Sequence, residues 1–325
     1  MQDVARTAGV SVATVSKVVN GHYGVSRETA EKVSRVIDEL GYETSLGARS
    51  LRSHRTNIIG VLVAEFEPFS TELLKGVSAA IGPTGYELLA YSGGHQGGAV
   101  GWERRSLSRL GGTLIDGAII VTPTVVDARN AIPVVAIDPH TGPTDVPTVE
   151  SDNFAGAVLA TQHLLGLGHR RIGFLGGRPD LESARQREEG FRHAMAAAGA
   201  VVDESLVLVG GYRPESTEGP ARELLTRPDR PTAVFAANDL SAIRTIDVAH
   251  DLGLGVPDDL SVIGFDNIPE SVLSQPPLTT INQPLHDIGA TALQMLVTLL
   301  QGREPEQTHV RLPTSMVERA SCRAR

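Results

Sequence analysis

From Asn57 onward the chain repeats one pattern, an apolar run followed by an amphipathic stretch, and that alternation restricts the fold more than any other feature. The runs are IIGVLVA (58–64), YELLAY (86–91), GAIIV (117–121), PVVAI (133–137), RIGFL (171–175), LVLV (206–209), TAVFAA (232–237) and LSVIGF (260–265). Each is continuously apolar, as in a strand buried on both faces. Strands of that kind separated by helices make a parallel sheet covered by helices on either side. Eight units exceed one small sheet, so two successive sheets are expected. The openings IIGVLVAEFEP and RIGFLGGRPD begin alike, as two related halves would.

The first 56 residues differ in kind. They carry eight Lys/Arg against six Asp/Glu, a net +2, in a chain of net charge −9 whose remainder carries −11. Between Thr44 and Thr56 there are three arginines and no acid. A small basic head on an acidic body suits a head that faces nucleic acid, although a solvated face has the same composition. The single cysteine, Cys322, excludes intramolecular disulfides and a cysteine zinc site. The longest apolar stretch, 58–64, is about a third of a membrane helix. No apolar segment follows Met1, so a cytoplasmic protein without membrane contact is expected.

Residues 2–40 read as three short helices. Val4, Ala5 and Ala8 form a stripe that ends at Gly9, a residue suited to a left-handed turn. Ser11 stands at an N-cap position before Val12, Val15, Val18 and Val19, and Asn20-Gly21 stops that helix. Ser26 caps a third helix whose stripe is Ala30, Val33, Ile37 and Leu40, ended by Gly41. The segment DVARTAGVSVATVSKVVN (3–20) therefore has the make-up of a helix-turn-helix. Ala5 allows close approach, Gly9 makes the turn and Val15 plugs the angle. On the second helix Val12, Ala13 and Lys17 face away from the plug, where Lys17 can donate to guanine and the other two can touch thymine methyls. Ser11, Thr14, Ser16 and Asn20 suit phosphate oxygens. A plain three-helix packing unit is the alternative.

DVARTAGVS, TVSKVVN, VSRETAEKV, ELGY and ARSL resemble the N-terminal domain of the lactose-repressor (LacI/GalR) family of transcription regulators, and the likeness continues to about residue 319. The resemblance implies base reading by Val12, Ala13 and Lys17, and phosphate contacts from Ser11, Thr14, Ser16, Asn20 and Ser26. It implies an all-α helix-turn-helix head (1–42), a hinge linker (43–56) and an α/β body (57–325) of two parallel-sheet lobes, similar to periplasmic binding proteins. One lobe comprises about 57–150 with 284–312, the other about 151–283 with 313–325. Two departures stand out. The family's threonine three residues before Asp3 is missing from this chain, so the start is expected to lie upstream or the first helix to fray. The linker reads Tyr42-Glu43-Thr44-Ser45, with Gly47 inside the expected helix, where the family has Tyr-x-Pro-Asn. ARSLR (48–52) supplies the matching residues, and Leu51 is expected as a wedge in the minor groove at the operator centre. So short a segment should order only on DNA; a plain tether is the alternative.

In a two-lobed α/β body, ligands collect at the carboxyl ends of the strands. Polar residues follow the apolar runs at Asp138, Asn238-Asp239, Asp266-Asn267 and Gln283, and Arg187 lies in SARQREEGF (183–191). By the resemblance, Arg187 and Asp266 would face each other across the cleft floor and bind ligand hydroxyls. Asp138, Asn238 and Gln283 would add polar contacts, and Phe69 would pack on a ring. That set suits a sugar. The plainer readings are helix N-caps for Asp138, Asn238 and Asp266, and core packing for Phe69. His163 and His169 lack metal-ligand spacing and are expected on helix surfaces or termini.

No nucleophile elbow, P-loop or HExxH motif is present, and GFLGG (173–177) lacks the dinucleotide pattern. The expectation is a non-enzymatic repressor with no cofactor and no metal. It would act as a homodimer on a pseudo-palindromic double-stranded operator and be released by a small-molecule effector, a mono- or oligosaccharide. The alternatives are a ligand that acts as corepressor, a sugar-binding transport component, and a sugar-processing enzyme with Asp138 and Asp266 as its carboxylate pair, which turnover of a bound sugar would reveal.

Overall fold

The computed structural model describes residues 1–19, 24–40, 55–93, 101–125, 131–142 and 145–325. The chain divides into two units at Thr56–Asn57. In the head, α1 (Gln2–Ala8) ends at Gly9, whose φ of 65° is the left-handed conformation that a β-carbon disfavours. The Gly9 and Val10 amides turn back onto the carbonyls of Arg6 and Ala5, closing the helix end. Ser11 Oγ then accepts the Thr14 amide at 3.1 Å and starts α2 (Val12–Val19). Ser26 Oγ does the same for Thr29 at 3.3 Å and starts α3 (Arg27–Glu39). Val4, Ala5, Ala8, Val15, Val33 and Val36 form the head's core.

Val36 takes the place expected for Leu40, which is 47% exposed. The helix ends at Glu39, so the stripe stops one turn short and the residue beyond it faces water. Val15 is fully buried. Val15→Ser is expected to cost about 2–3 kcal/mol, from lost apolar burial and a hydroxyl without a partner. A head of roughly forty residues holds little stability in reserve. The variant should lose DNA binding in anisotropy while still binding effector in calorimetry; parallel loss of both would contradict a head that folds on its own core.

The body contains two six-stranded sheets. The first runs β11 (His309–Leu312), β5 (Thr148–Ser151), β4 (Val134–Ile137), β3 (Gly117–Val121), β1 (Ile58–Val63), β2 (Glu87–Ser92), and every pairing is parallel. The second runs β12 (Ser315–Val317), β10 (Thr279–Asn282), β9 (Ser261–Asp266), β8 (Ala233–Ala236), β6 (Ile172–Gly176), β7 (Val207–Val209). It is parallel except for β12, which pairs antiparallel with β10. The chain passes between the sheets after β5, β10 and β11.

Helices α4 (Pro68–Ile81), α5 (Trp102–Leu110) and α11 (Leu285–Leu300) cover the first sheet. Helices α6 (Asn153–Gly166), α7 (Glu182–Ala197), α8 (Pro214–Leu225) and α9 (Asp239–Asp251) cover the second, and α10 (Glu270–Leu273) is a single turn. The strands that the apolar runs did not reveal are β5, β10, β11 and β12. They read TVES, TTIN, HVRL and SMV, and two of their threonines find partners that let a polar strand enter a sheet: Thr148 Oγ1 lies 2.8 Å from His309 Nδ1, and Thr280 Oγ1 donates to Asp239 at 2.5 Å. His169 stands at the C-terminal end of α6, as expected, but is buried there. It is 3% exposed, with Nδ1 2.9 Å from Thr232 Oγ1 and Nε2 3.0 Å from Ser261 Oγ, and so ties the end of α6 to two strands.

Candidate functional sites

The carboxyl ends of both sheets face one cavity of about 150 Å³. From the first lobe come Glu65, Glu67, Phe69 and Ser70 after β1, Trp102 on α5, Thr122 and Thr124 after β3, and Asp138 and His140 after β4. From the second come Arg178, Ser183 and Arg187 after β6, Tyr212 and Arg213 after β7, Asn238 after β8, and Asp266 at the end of β9. Five of the six effector residues expected from sequence line it, and Gln283 does not. Gln283 is 2% exposed and its Nε2 donates to Asp266 Oδ1 at 2.6 Å, so it bears on the cavity through Asp266.

Arg187 and Asp266 are neighbours in one lobe, not opposed across the floor. Arg187 Nη1 lies 3.4 Å from Asp266 Oδ1 and also donates to the Ala237 carbonyl, while Nε donates to Asn153 Oδ1 at 2.9 Å. The guanidinium stacks over Phe265, 3.8 Å from the ring centroid. The reason is electrostatic: a carboxylate at the buried end of β9 needs a cation beside it. Burial still pushes Asp266 up to about 6, against the pull of Arg187 and Gln283. Asp138 goes further, to about 7, because burial outweighs the more distant Arg187.

Asn238 caps α9 by accepting the Ser241 amide at 3.0 Å, and its Nδ2 donates to the Tyr212 carbonyl at 3.1 Å. Its cap role and its place in the cavity wall thus coexist. Phe69 likewise lines the cavity and packs against the first lobe's core. Backbone strain gathers here. Of six non-glycine residues with positive φ among those described, Thr122 (46°), Asp138 (45°), Tyr212 (70°) and Asp266 (118°) line the cavity. Such conformations cost about 1–3 kcal/mol each and persist where the surroundings hold side chains in place for binding.

The lobes also touch at the cavity rim. Arg213 Nη2 lies 2.7 Å from Glu65 Oε2, and the Glu182 amide donates to the His140 carbonyl at 3.1 Å. Sequence reasoning did not single out Tyr212, which is buried in the cavity wall with Ser183, or the sole tryptophan, Trp102. Tyr212 packs flat against Gly177, where an added Cβ would lie 2.1 Å from the ring. Gly177→Ala therefore pushes the ring toward the cavity. Effector affinity measured by calorimetry should fall about 10-fold, a 1.4 kcal/mol overpacking cost, with effector-free operator affinity unchanged.

In the head, Ser11, Ala13, Thr14, Lys17 and Ser26 line one shallow depression together with Thr29. Val12 is 44% exposed beside it, and Ser16 is half-buried on the flank. Thr29 was legible but missed: Ser26-x-x-Thr29 repeats Ser11-x-x-Thr14, and each serine hydroxyl lies within 2.9 Å of its threonine's. The two caps present helix N-termini to a common surface, as phosphate binding requires. Asn20, Leu51 and most of the 43–56 linker lie outside the described residues.

Residues 1–45 match the model of bacterial regulatory proteins of the lacI family, and residues 161–322 match that of the periplasmic binding protein-like domain. The chain is 35% identical to the ribose operon repressor of Escherichia coli, across 99% of both chains. It is 34% identical to the transcriptional repressor PurR of Photobacterium profundum, across 99% of this chain and 98% of that one. The chain belongs to the LacI family. Its fold matches the lac repressor dimer bound to operator and the anti-inducer ONPF, with a TM-score of 0.85 and 27% identity over 99% of this chain and 98% of that one. As a LacI-family member it is a DNA-binding transcription regulator, with a helix-turn-helix head and a two-lobed body. Among the described residues no helix is long and apolar enough to cross a membrane, and no group of three or more His, Cys, Asp or Glu is placed to hold a metal ion.

Proposed function

We propose that this LacI-family regulator represses transcription in the cytoplasm as a homodimer on a pseudo-palindromic operator, and that a sugar entering the cleft releases it. The observation that carries this is a cavity walled by strand ends of both lobes, in a chain whose first 45 residues are a lacI-type head. One head spans about half a site, so two-fold symmetry in the protein calls for two-fold symmetry in the DNA. Val12, Ala13 and Lys17 read bases; Ser11, Thr14, Ser16, Asn20 and Ser26, joined by Thr29, hold phosphates; Leu51 wedges the operator centre. In the cleft, Asp138, Asp266, Arg187 and Asn238 meet ligand hydroxyls, and Phe69 meets an apolar ring face. The name of the ribose operon repressor supports a sugar as the class of effector. The cleft binds without turnover, since Arg187 holds Asp266 in an ion pair and DNA release needs only a shift between lobe arrangements.

The test is fluorescence anisotropy of a labelled fragment from the gene's own upstream region, titrated at fixed salt with and without mono- and oligosaccharides. Selective binding weakened about 5–150-fold by one sugar is the expected result. Selective binding that appears only with a ligand would replace release by corepression. A body that binds sugar while the chain binds no DNA selectively would favour the transport reading.

A further inference from the structure

Among the described residues, every arginine in the wall of the cleft is bonded to a carboxylate of the protein. Arg178 lies 2.6 Å from Asp180, Arg187 3.4 Å from Asp266 and Arg213 2.7 Å from Glu65. Asp138 is 7% exposed and forms no ion pair among the described residues. His140 adds no free cation, since it sits 3.4 Å from Asp180 and burial lowers its pKa.

Helix N-termini are the other usual source of anion binding, and here each brings its own acid. Helix α4 is preceded by Glu67, and the first turns of α7, α8 and α9 carry Glu182, Glu215 and Asp239. The positive ends of α4, α7 and α8 are thereby met from within the protein.

We propose that the cleft selects against anions, so that its effector is an uncharged or cationic polyhydroxylated molecule and the phosphorylated or acidic forms of that molecule are rejected. This rests on the cleft being the effector site. A phosphate or carboxylate entering it would shed water without meeting an unpaired cation among the described residues and would lie beside Asp138. Uncharged hydroxyls have no such difficulty, because Asp138 and Asp266 accept from them. An ammonium group would supply the counter-charge that Asp138 lacks. The regulator would then sense its effector upstream of any phosphorylating reaction, and a kinase acting on that molecule would extinguish the signal.

The full-length protein is titrated by calorimetry with ribose, glucose, cellobiose and glucosamine, and with ribose 5-phosphate, glucose 6-phosphate and glucuronate. The expected binder comes from the first group, with its phosphorylated or acidic counterpart at least about 100-fold weaker. Asp138→Asn should narrow that ratio by about 10-fold or more. An anionic compound that binds as tightly as its neutral counterpart overturns the inference, whatever becomes of the sugar reading. An unchanged ratio in the variant overturns the role of Asp138, and the panel on the parent protein decides the charge selection even if the variant fails to fold. Titration of an uncharged nucleobase such as hypoxanthine separates the two readings: tight binding there, with anions still rejected, keeps the charge selection and removes the sugar.

Discussion

Replacing Arg187 by alanine is expected to destabilise the body by about 3–5 kcal/mol and to abolish the response to effector. The guanidinium is 4% exposed and bonds Asn153, the Ala237 carbonyl and Asp266 while covering Phe265. Without it, Asp266 becomes a buried carboxylate whose remaining side-chain partner is Gln283. The pH dependence has a definite sign. Asp266 already titrates near 6 in the folded protein, above its ordinary 3.8, and loss of the cation moves it higher. A carboxyl raised on folding holds its proton more tightly in the native state, so stability is greatest below 3.8 and is lost as pH rises through the folded value. The Arg187→Ala deficit, measured by urea unfolding, should therefore be larger at about pH 8 than at about pH 5. An equal deficit at both would assign the loss to packing alone. Pairing Arg187→Met with Asp266→Asn removes both charges, and asparagine tolerates positive φ. That pair should recover most of the stability without recovering the effector response.

Asp138→Asn is expected to make the protein more stable at neutral pH and worse at its task. Burial holds the carboxyl near 7, and moving it there from 3.8 corresponds to roughly 4 kcal/mol against the ionised form. Relaxation and water entry reduce what a variant regains, so about 2 kcal/mol is expected at about pH 8. Because the folded value is raised, the parent loses stability as pH climbs from 3.8 through about 7, and the variant does not. The two melting curves should thus draw together toward about pH 4 and separate by about pH 8. Effector binding should show the complement: hydroxyl donors favour the ionised carboxylate, so the parent's affinity rises between about pH 6 and about pH 8. Asp138→Asn should bind weakly and flatly across that range. A parent affinity that falls with pH would mean that the protonated acid is the form that holds the ligand.

How much of this was legible varies with how local the cause is. Gly9, Ser11 and Ser26 act on their own helix ends, and so their roles could be read from spacing. The repeated Ser-x-x-Thr was equally local, and Thr29 followed from it once the two caps were seen to share a surface. Leu40 failed because periodicity does not say where a helix stops. The strands TVES and TTIN failed because their threonines are satisfied by distant groups, as His309 meets Thr148 across 161 residues and Asp239 accepts from Thr280 across 41.

In the cleft, the residue types at the strand ends were visible, because a parallel sheet forces its chemistry to those ends. Their partnerships were not. Arg187 reaches Asp266 over 79 residues, and Gln283 turns inward to Asp266 and away from the cavity. Nothing in the pattern marked Tyr212, whose ring is set by the missing side chain of Gly177.

The helix-turn-helix head, the two-sheet body and the kind of residue at each strand end follow from backbone periodicity and turn chemistry within a few residues, and so could be read from the chain alone. Which charges cancel depends on contacts between elements far apart in the chain. Burial makes an unpaired charge costly, and the partner that relieves it is whichever side chain the crossovers bring within about 4 Å. Hence, among the described residues, the cleft arginines stand paired while Asp138 has no ion pair, and the proposed preference of the cleft rests on that difference.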